Sequence, residues 1–278
     1  WGDNSGDPIA SRRDDTPDYG PAFRRAIRFM AGAGAVRREA AIPDPNAEGQ
    51  SKISYGLGGG MGSFSPGGVA SLDIYPLRFA DIGGLLGGFG LTVDFSFFPR
   101  SAYEADSQGN ISGEPITSNV MSLRGGILWD FALWEETTAP QIGVVAGYHY
   151  YTFPLDSGSF PGVQYTGPYF GANFQLPMSD SFQLVLAGDI TIPMATGGGT
   201  SALGDSGTGY GFGSTASFVY SLLPATGVPI EFELGGRYDS YNCSFQGLTS
   251  LGDNVEVMEN VELRDVSWSG FFMLGFSL

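Results

Sequence analysis

The sequence predicts an all-β fold: a closed antiparallel up-and-down transmembrane β-barrel of about ten strands, with twelve as the alternative. Three observations carry this. From Arg24 onward the chain divides into segments that alternate apolar and polar residues with period two. The connections between these segments are alternately short and long. The last segment, VSWSGFFMLGFSL, puts Val266, Trp268, Gly270, Phe272, Leu274, Phe276 and Leu278 on one face. Asp265, Ser267, Ser269, Met273, Gly275 and Ser277 share the other with Phe271. An ending this apolar differs from the frayed, polar ends usual in soluble domains.

Composition points the same way. Gly accounts for 44 of 278 residues and aromatics for 14%. Gly inside a helix costs about 1 kcal/mol relative to Ala, so a helical bundle is disfavoured. Asp and Glu total 29 against 13 Lys and Arg, with Lys52 the single lysine. Nucleic acid is therefore excluded as a partner, because phosphate binding needs clustered Lys and Arg. The single cysteine, Cys243, leaves no internal disulfide framework and no zinc site built on Cys pairs. No apolar run reaches the roughly 18 residues of a membrane-spanning helix. The opening WGDNSGDP has neither a basic nor an apolar leader region, so an exported protein is expected here in mature or trimmed form.

Along the chain, residues 1–23 carry Pro8, Pro17 and Pro21 among Asp, Gly and Ser without periodicity, and are expected to be an acidic periplasmic linker. The barrel is expected over 24–278. Its candidate strands are 25–37, 67–77, 84–98, 120–131, 141–153, 165–176, 182–194, 209–222, 230–239 and the terminal segment. Most approach or slightly exceed the roughly 9–11 residues of a tilted membrane-spanning strand. In 84–98, Leu85, Phe89, Leu91, Val93, Phe95 and Phe97 oppose Thr92, Asp94 and Ser96; in 182–194, Phe182, Leu184, Leu186 and Ile190 oppose Gln183 and Asp189. Short connections fall at 78–83, 133–140, 177–181 and 223–229, and long ones at 38–66, 99–119, 154–164, 195–208 and 242–263. The stretch ISYGLGGGMGSF, 53–64, decides the count. As loop it leaves ten strands with both barrel termini at the short-turn end; as a spanning strand it gives eleven, or twelve with another near 255–263.

A soluble barrel hides its apolar faces and shows charge outside. Here the faces opposite the apolar ones carry Gly, Ser, Thr, Gln and Tyr with scattered Asp, Glu and Arg, as a polar lumen does. Trp129 and Trp134 gather at one strand end, Tyr148 and Tyr150 near the end of another, and Trp268 and Phe276 mark the two ends of the last. Interfacial aromatics are placed this way in membranes. With the loop asymmetry, the terminal pattern of Trp268, Phe272, Leu274, Phe276 and Leu278 resembles that of bacterial outer-membrane β-barrels, over roughly residues 24–278. It departs from that class in ending on Leu rather than the commoner Phe. The resemblance implies an outer-membrane location, contact with lipid and lipopolysaccharide, and a last strand read by the insertion machinery.

The inward faces are expected to carry Arg28, Arg124 and Arg237 against Asp73, Asp94, Asp130, Asp189, Glu231, Glu233, Asp239 and Asp265. Acidic rings favour cations. In a barrel this narrow, however, an ion-paired plug is the stronger expectation. His149, the one histidine, falls on the lumen face beside Tyr148, Tyr150 and Tyr151. With no Ser placed by sequence to couple to it, a hydrogen-bonded structural role is expected. GLGGGMG and ATGGGTSALG do not match a phosphate loop, and the loop acids lack calcium-loop spacing. No enzyme, cofactor or metal site is expected, and Cys243 is placed in the last long loop. The leading expectation is a structural anchor or scaffold that binds a periplasmic or outer-membrane protein through residues 1–23 or its loops. The alternative is a narrow channel for small cations or polar solutes.

Overall fold

The structure, a computed structural model, describes residues 26–43, 51–56, 64–80, 82, 84–105, 111–134, 139–154, 163–192, 195–196, 206–222, 229–246 and 261–278. Its strands are β1 (Ile27–Pro43), β2 (Ser51–Gly56), β3 (Ser65–Ile74), β4 (Phe89–Ala105), β5 (Ile111–Ala132), β6 (Gln141–Phe153), β7 (Val163–Pro177), β8 (Phe182–Thr191), β9 (Ala195–Thr196), β10 (Ser206–Ser221), β11 (Ile230–Gln246) and β12 (Val261–Ser277). Ten of them form a closed antiparallel barrel in which each strand pairs with the next in sequence. Closure joins β1 to β12 in one unbroken register from Arg28↔Ser277 to Ala41↔Arg264. Ile27 and Leu278 exchange backbone hydrogen bonds of 2.9 Å at the short-turn end. Closure is what makes an apolar last strand tolerable, since no edge is left to recruit another chain.

The segment that decided the strand count is neither a plain loop nor a spanning strand. Ser51–Gly56 forms β2, whose six residues bridge the outer ends of β1 and β4. The rest of that stretch, 57–63, and residues 1–23 lie outside the described residues. β9 adds only two residues beside β7.

Several strand boundaries differ from the sequence expectation. The strand expected to begin at 84 begins at Phe89; Gly84–Gly87 is a single helical turn, α1, after a 3-10 turn at Pro76–Ala80. Leu85 and Leu86 are both exposed, so the local pattern has no true period of two. Trp129 Nε1 donates to the Leu85 carbonyl at 2.9 Å and Arg78 Nε to that of Gly87 at 2.7 Å, which holds the turn in place. At the opposite end several strands overrun their expected limits. β4 and β5 stay paired out to Ala105↔Ile111, and β11 and β12 are each 17 residues long. These extensions exceed the roughly 9–11 residues needed to cross lipid.

The apolar faces point outward. Phe89, Leu91, Val93, Phe95 and Phe97 on β4 are exposed, as are Leu123 and Ile127 on β5, Leu186 and Ile190 on β8, and Phe272, Leu274 and Phe276 on β12. An apolar belt running around the molecule would aggregate in water; in lipid it meets a matching solvent. Ile127, 60% exposed, sits within this belt. Ile127→Arg is expected to cost about 2–4 kcal/mol near the bilayer midplane. A urea titration of the refolded barrel in lipid, followed by heat-shifted gel mobility, measures that loss.

Candidate functional site

The lumen is where inward parity gathers the polar side chains, and it is organised in three levels. Nearest the short-turn end, Arg28 Nε lies 3.0 Å from Glu231 Oε2, and its Nη2 lies 2.8 Å from Glu233 Oε2. Glu231 is fully buried and also accepts from Ser277 Oγ at 3.0 Å. Thr92 Oγ1 donates to Asp73 at 2.7 Å, and the Tyr75 hydroxyl donates to Asp130. Gln183 donates to Gln175 at 3.0 Å and Gln175 to Asn173 at 3.1 Å, so an amide chain runs along β7 and β8.

At mid-height two guanidiniums and two carboxylates form a ring. Arg124 reaches Asp189 at 3.2 Å and Asp239 at 3.1 Å; Arg237 reaches each of the same two carboxylates at 2.7 Å, and Thr215 Oγ1 at 3.0 Å. The four charged side chains come from β5, β8 and β11, so the bonds cross the lumen. Gly213 on β10 makes room for them. A Cβ there would lie 2.1 Å from Arg237 Nη2 and 2.6 Å from Asp189 Oδ2.

Beyond the ring, toward the long loops, the lumen is filled by an apolar plug. Val36, Phe98, Val120, Tyr151, Phe153, Val163, Tyr165, Tyr241, Cys243, Phe245 and Leu263 pack together there, all nearly or fully buried. Tyr165 stacks on Tyr241 with centroids 4.7 Å apart, and Tyr151 lies 5.5 Å from Tyr241 across the barrel. Arg38, 1% exposed, is held in the plug by Asp265, with Nε 2.6 Å from Oδ1; its guanidinium lies over Phe153 at 3.8 Å. Sequence reading missed Arg38 and placed Cys243 in a loop. Both belong to strands that continue past the lipid belt, and Cys243 is buried in β11 rather than poised in a loop.

Beneath the plug lies a cavity of about 360 Å³, lined by residues of all ten barrel strands. Arg28, Asp73, Asp94, Arg124, Asp130, Asp189, Arg237 and Asp239 are on its wall. Among the described residues Asp94 makes no ion pair or hydrogen bond, and its side chain is exposed to the cavity.

His149 is fully buried at the ring's height. Its Nε2 lies 2.9 Å from Ser122 Oγ, and its Nδ1 lies 3.3 Å from both Thr191 Oγ1 and the Tyr241 hydroxyl. Ser122 belongs to the polar face expected of residues 120–131, but its contact with His149 arises only from the pairing of β5 with β6. The Ser–His contact has only hydroxyls behind it. A triad places a carboxylate there to orient and stabilise the imidazolium.

Of the six aromatics expected at the membrane interface, Trp129, Trp134 and Phe276 lie at the short-turn end, where Trp129 stacks on Phe89 at 5.2 Å. Tyr148 and Tyr150 lie on the outward face of β6 toward its long-loop end, as does Trp268 on β12, beneath the Arg37 guanidinium at 5.6 Å.

The closed barrel, its outward apolar belt and its asymmetric rims place the chain in the bacterial outer membrane. Several solved structures share the barrel architecture. The outer membrane protease OmpT from Escherichia coli is 8% identical over 91% of this chain and 96% of its own, with a TM-score of 0.48. OprG from Pseudomonas aeruginosa is 10% identical over 91% and 97%, with a TM-score of 0.40. A Pseudomonas aeruginosa FadL homologue is 8% identical over 93% and 92%, with a TM-score of 0.32. The likeness is one of barrel architecture alone. No family model and no curated protein matches the chain.

Proposed function

We propose that this outer-membrane barrel admits small cations to its lumen and is occluded in the conformation described, acting as a narrow gated channel rather than a catalyst. The observation that supports this is the charge of the cavity wall. Its three guanidiniums, Arg28, Arg124 and Arg237, are already engaged by carboxylates, while Asp73 and Asp94 add further negative charge. An acidic, partly desolvated compartment concentrates cations and repels anions. The plug accounts for occlusion. The anchoring role expected of residues 1–23 concerns a segment outside the described residues and stands as a separate proposal, tested by cross-linking from that segment.

Planar-bilayer recordings of the refolded wild-type barrel under a potassium chloride gradient test the channel reading. Brief, cation-selective openings are expected, and Asp94→Asn should reduce both conductance and selectivity. Anion-selective openings, or an Asp94→Asn barrel with unchanged selectivity, would count against it.

A further inference from the structure

Resting on that reading, we propose that the cavity binds a small organic ammonium ion, a primary or secondary amine with a short aliphatic body, through Asp94. The charge inventory supplies the first reason. Arg28, Arg38, Arg124 and Arg237 each sit against at least one carboxylate, and Asp94 is within ion-pairing distance of none of them. Arg124 lies opposite Asp94 in the β4–β5 register but turns its guanidinium to Asp189 and Asp239. A carboxylate enclosed in a barrel, exposed to a cavity and without a direct ion-pair partner is complementary to a charged hydrogen-bond donor. The strand register places Asp73 one diagonal step away, through Ser71↔Asp94 and Asp73↔Thr92, so two carboxylates share that wall.

The shape of the site favours an organic cation over a metal ion. At about 360 Å³ the cavity is the size of a small-molecule pocket. Hard cations require about six or more converging oxygens, and among the described residues no three His, Cys, Asp or Glu side chains converge on one point. Val69, Leu128, Val145 and Val185 also line the cavity, giving an aliphatic body something to pack against. The mode of binding is hydrogen bonding rather than an aromatic cage. Of the aromatic rings on the cavity wall, Tyr169, Tyr75 and Tyr151 already carry the guanidiniums of Arg124, Arg78 and Arg38 at 5.9, 3.6 and 5.2 Å. A primary ammonium should therefore outcompete a quaternary one.

The test is calorimetric titration of the full chain, refolded in lipid nanodiscs, with n-butylammonium chloride. 1-Butanol, tetramethylammonium and calcium serve as competitors. Butylammonium is expected to bind the wild type. Asp94→Asn should weaken it roughly tenfold or more, the value of one lost charge-assisted hydrogen bond, and Asp94→Glu should restore part of the affinity. All three proteins should show the same heat-shifted mobility. Absence of binding to wild type, equal binding to Asp94→Asn, or displacement by calcium or tetramethylammonium at equal concentration would overturn the inference. Cation-selective conductance that persists without butylammonium binding would overturn this inference and leave the channel reading standing. Butylammonium binding in a barrel without cation selectivity would do the reverse.

Discussion

Replacing Tyr165 and Tyr241 together with Ala is expected to open the outer mouth of the barrel and convert brief openings into sustained current. Each ring comes from a different wall, and their stack at 4.7 Å spans the lumen at the level of the plug. Removing both deletes the contact that seals the barrel. Tyr151, which stacks on Tyr165 and tilts against Tyr241, is left without either partner. The cost is substantial, since truncating one large buried aromatic typically takes about 3–5 kcal/mol. The strand ladders and lipid belt remain, so a folded but leaky barrel is the expected product. Heat-shifted mobility checks the fold and bilayer current checks the opening. A folded double variant as silent as the wild type would show that the seal lies elsewhere.

Arg237→Met should be among the most destabilising single substitutions in the lumen. The mid-height ring balances two guanidiniums against Asp189 and Asp239, with every member largely buried. Without Arg237, one carboxylate is left buried without its counter-charge, a loss of about 3–5 kcal/mol. Adding Asp239→Leu should recover most of that loss, because the remaining Arg124 and Asp189 again balance one to one. Such a rescue distinguishes uncompensated charge from simple loss of packing. Denaturant midpoints of the two variants in refolded lipid samples supply the comparison.

How much of this was legible in the sequence depends on the solvent each stretch meets. β6 runs from Gln141 to Phe153, the limits its alternation predicts, because lipid on one side and lumen on the other force a period of two along it. Beyond the belt that pressure lapses, since lipid no longer dictates one face. The outer part of β4 and the first part of β5 therefore read as loop, while β2, where Ile53 and Tyr55 do alternate, reads as either loop or strand. Arg38 and Cys243 fell outside the expected strands for the same reason.

Inward parity is a property of a single strand and can be read from it, as for Asp94, Arg124 and Asp189. Partnership is a property of register and shear. Arg38 meets Asp265 across 227 positions, and Arg237 meets Asp189 across 48, through strands whose mutual offset no local pattern encodes. Ser122 reached His149 in the same way, across a neighbouring strand. The balance between engaged and unengaged carboxylates, which separates Asp94 from Asp189, becomes visible only when those offsets are known.

The most direct test of the account is the reversal potential of the Tyr165→Ala, Tyr241→Ala barrel under a potassium chloride gradient, before and after adding Asp94→Asn. A lumen governed by surplus carboxylates predicts a reversal potential near that of potassium, shifting toward zero when Asp94 is neutralised. A potential at zero or toward chloride in the open barrel would contradict it.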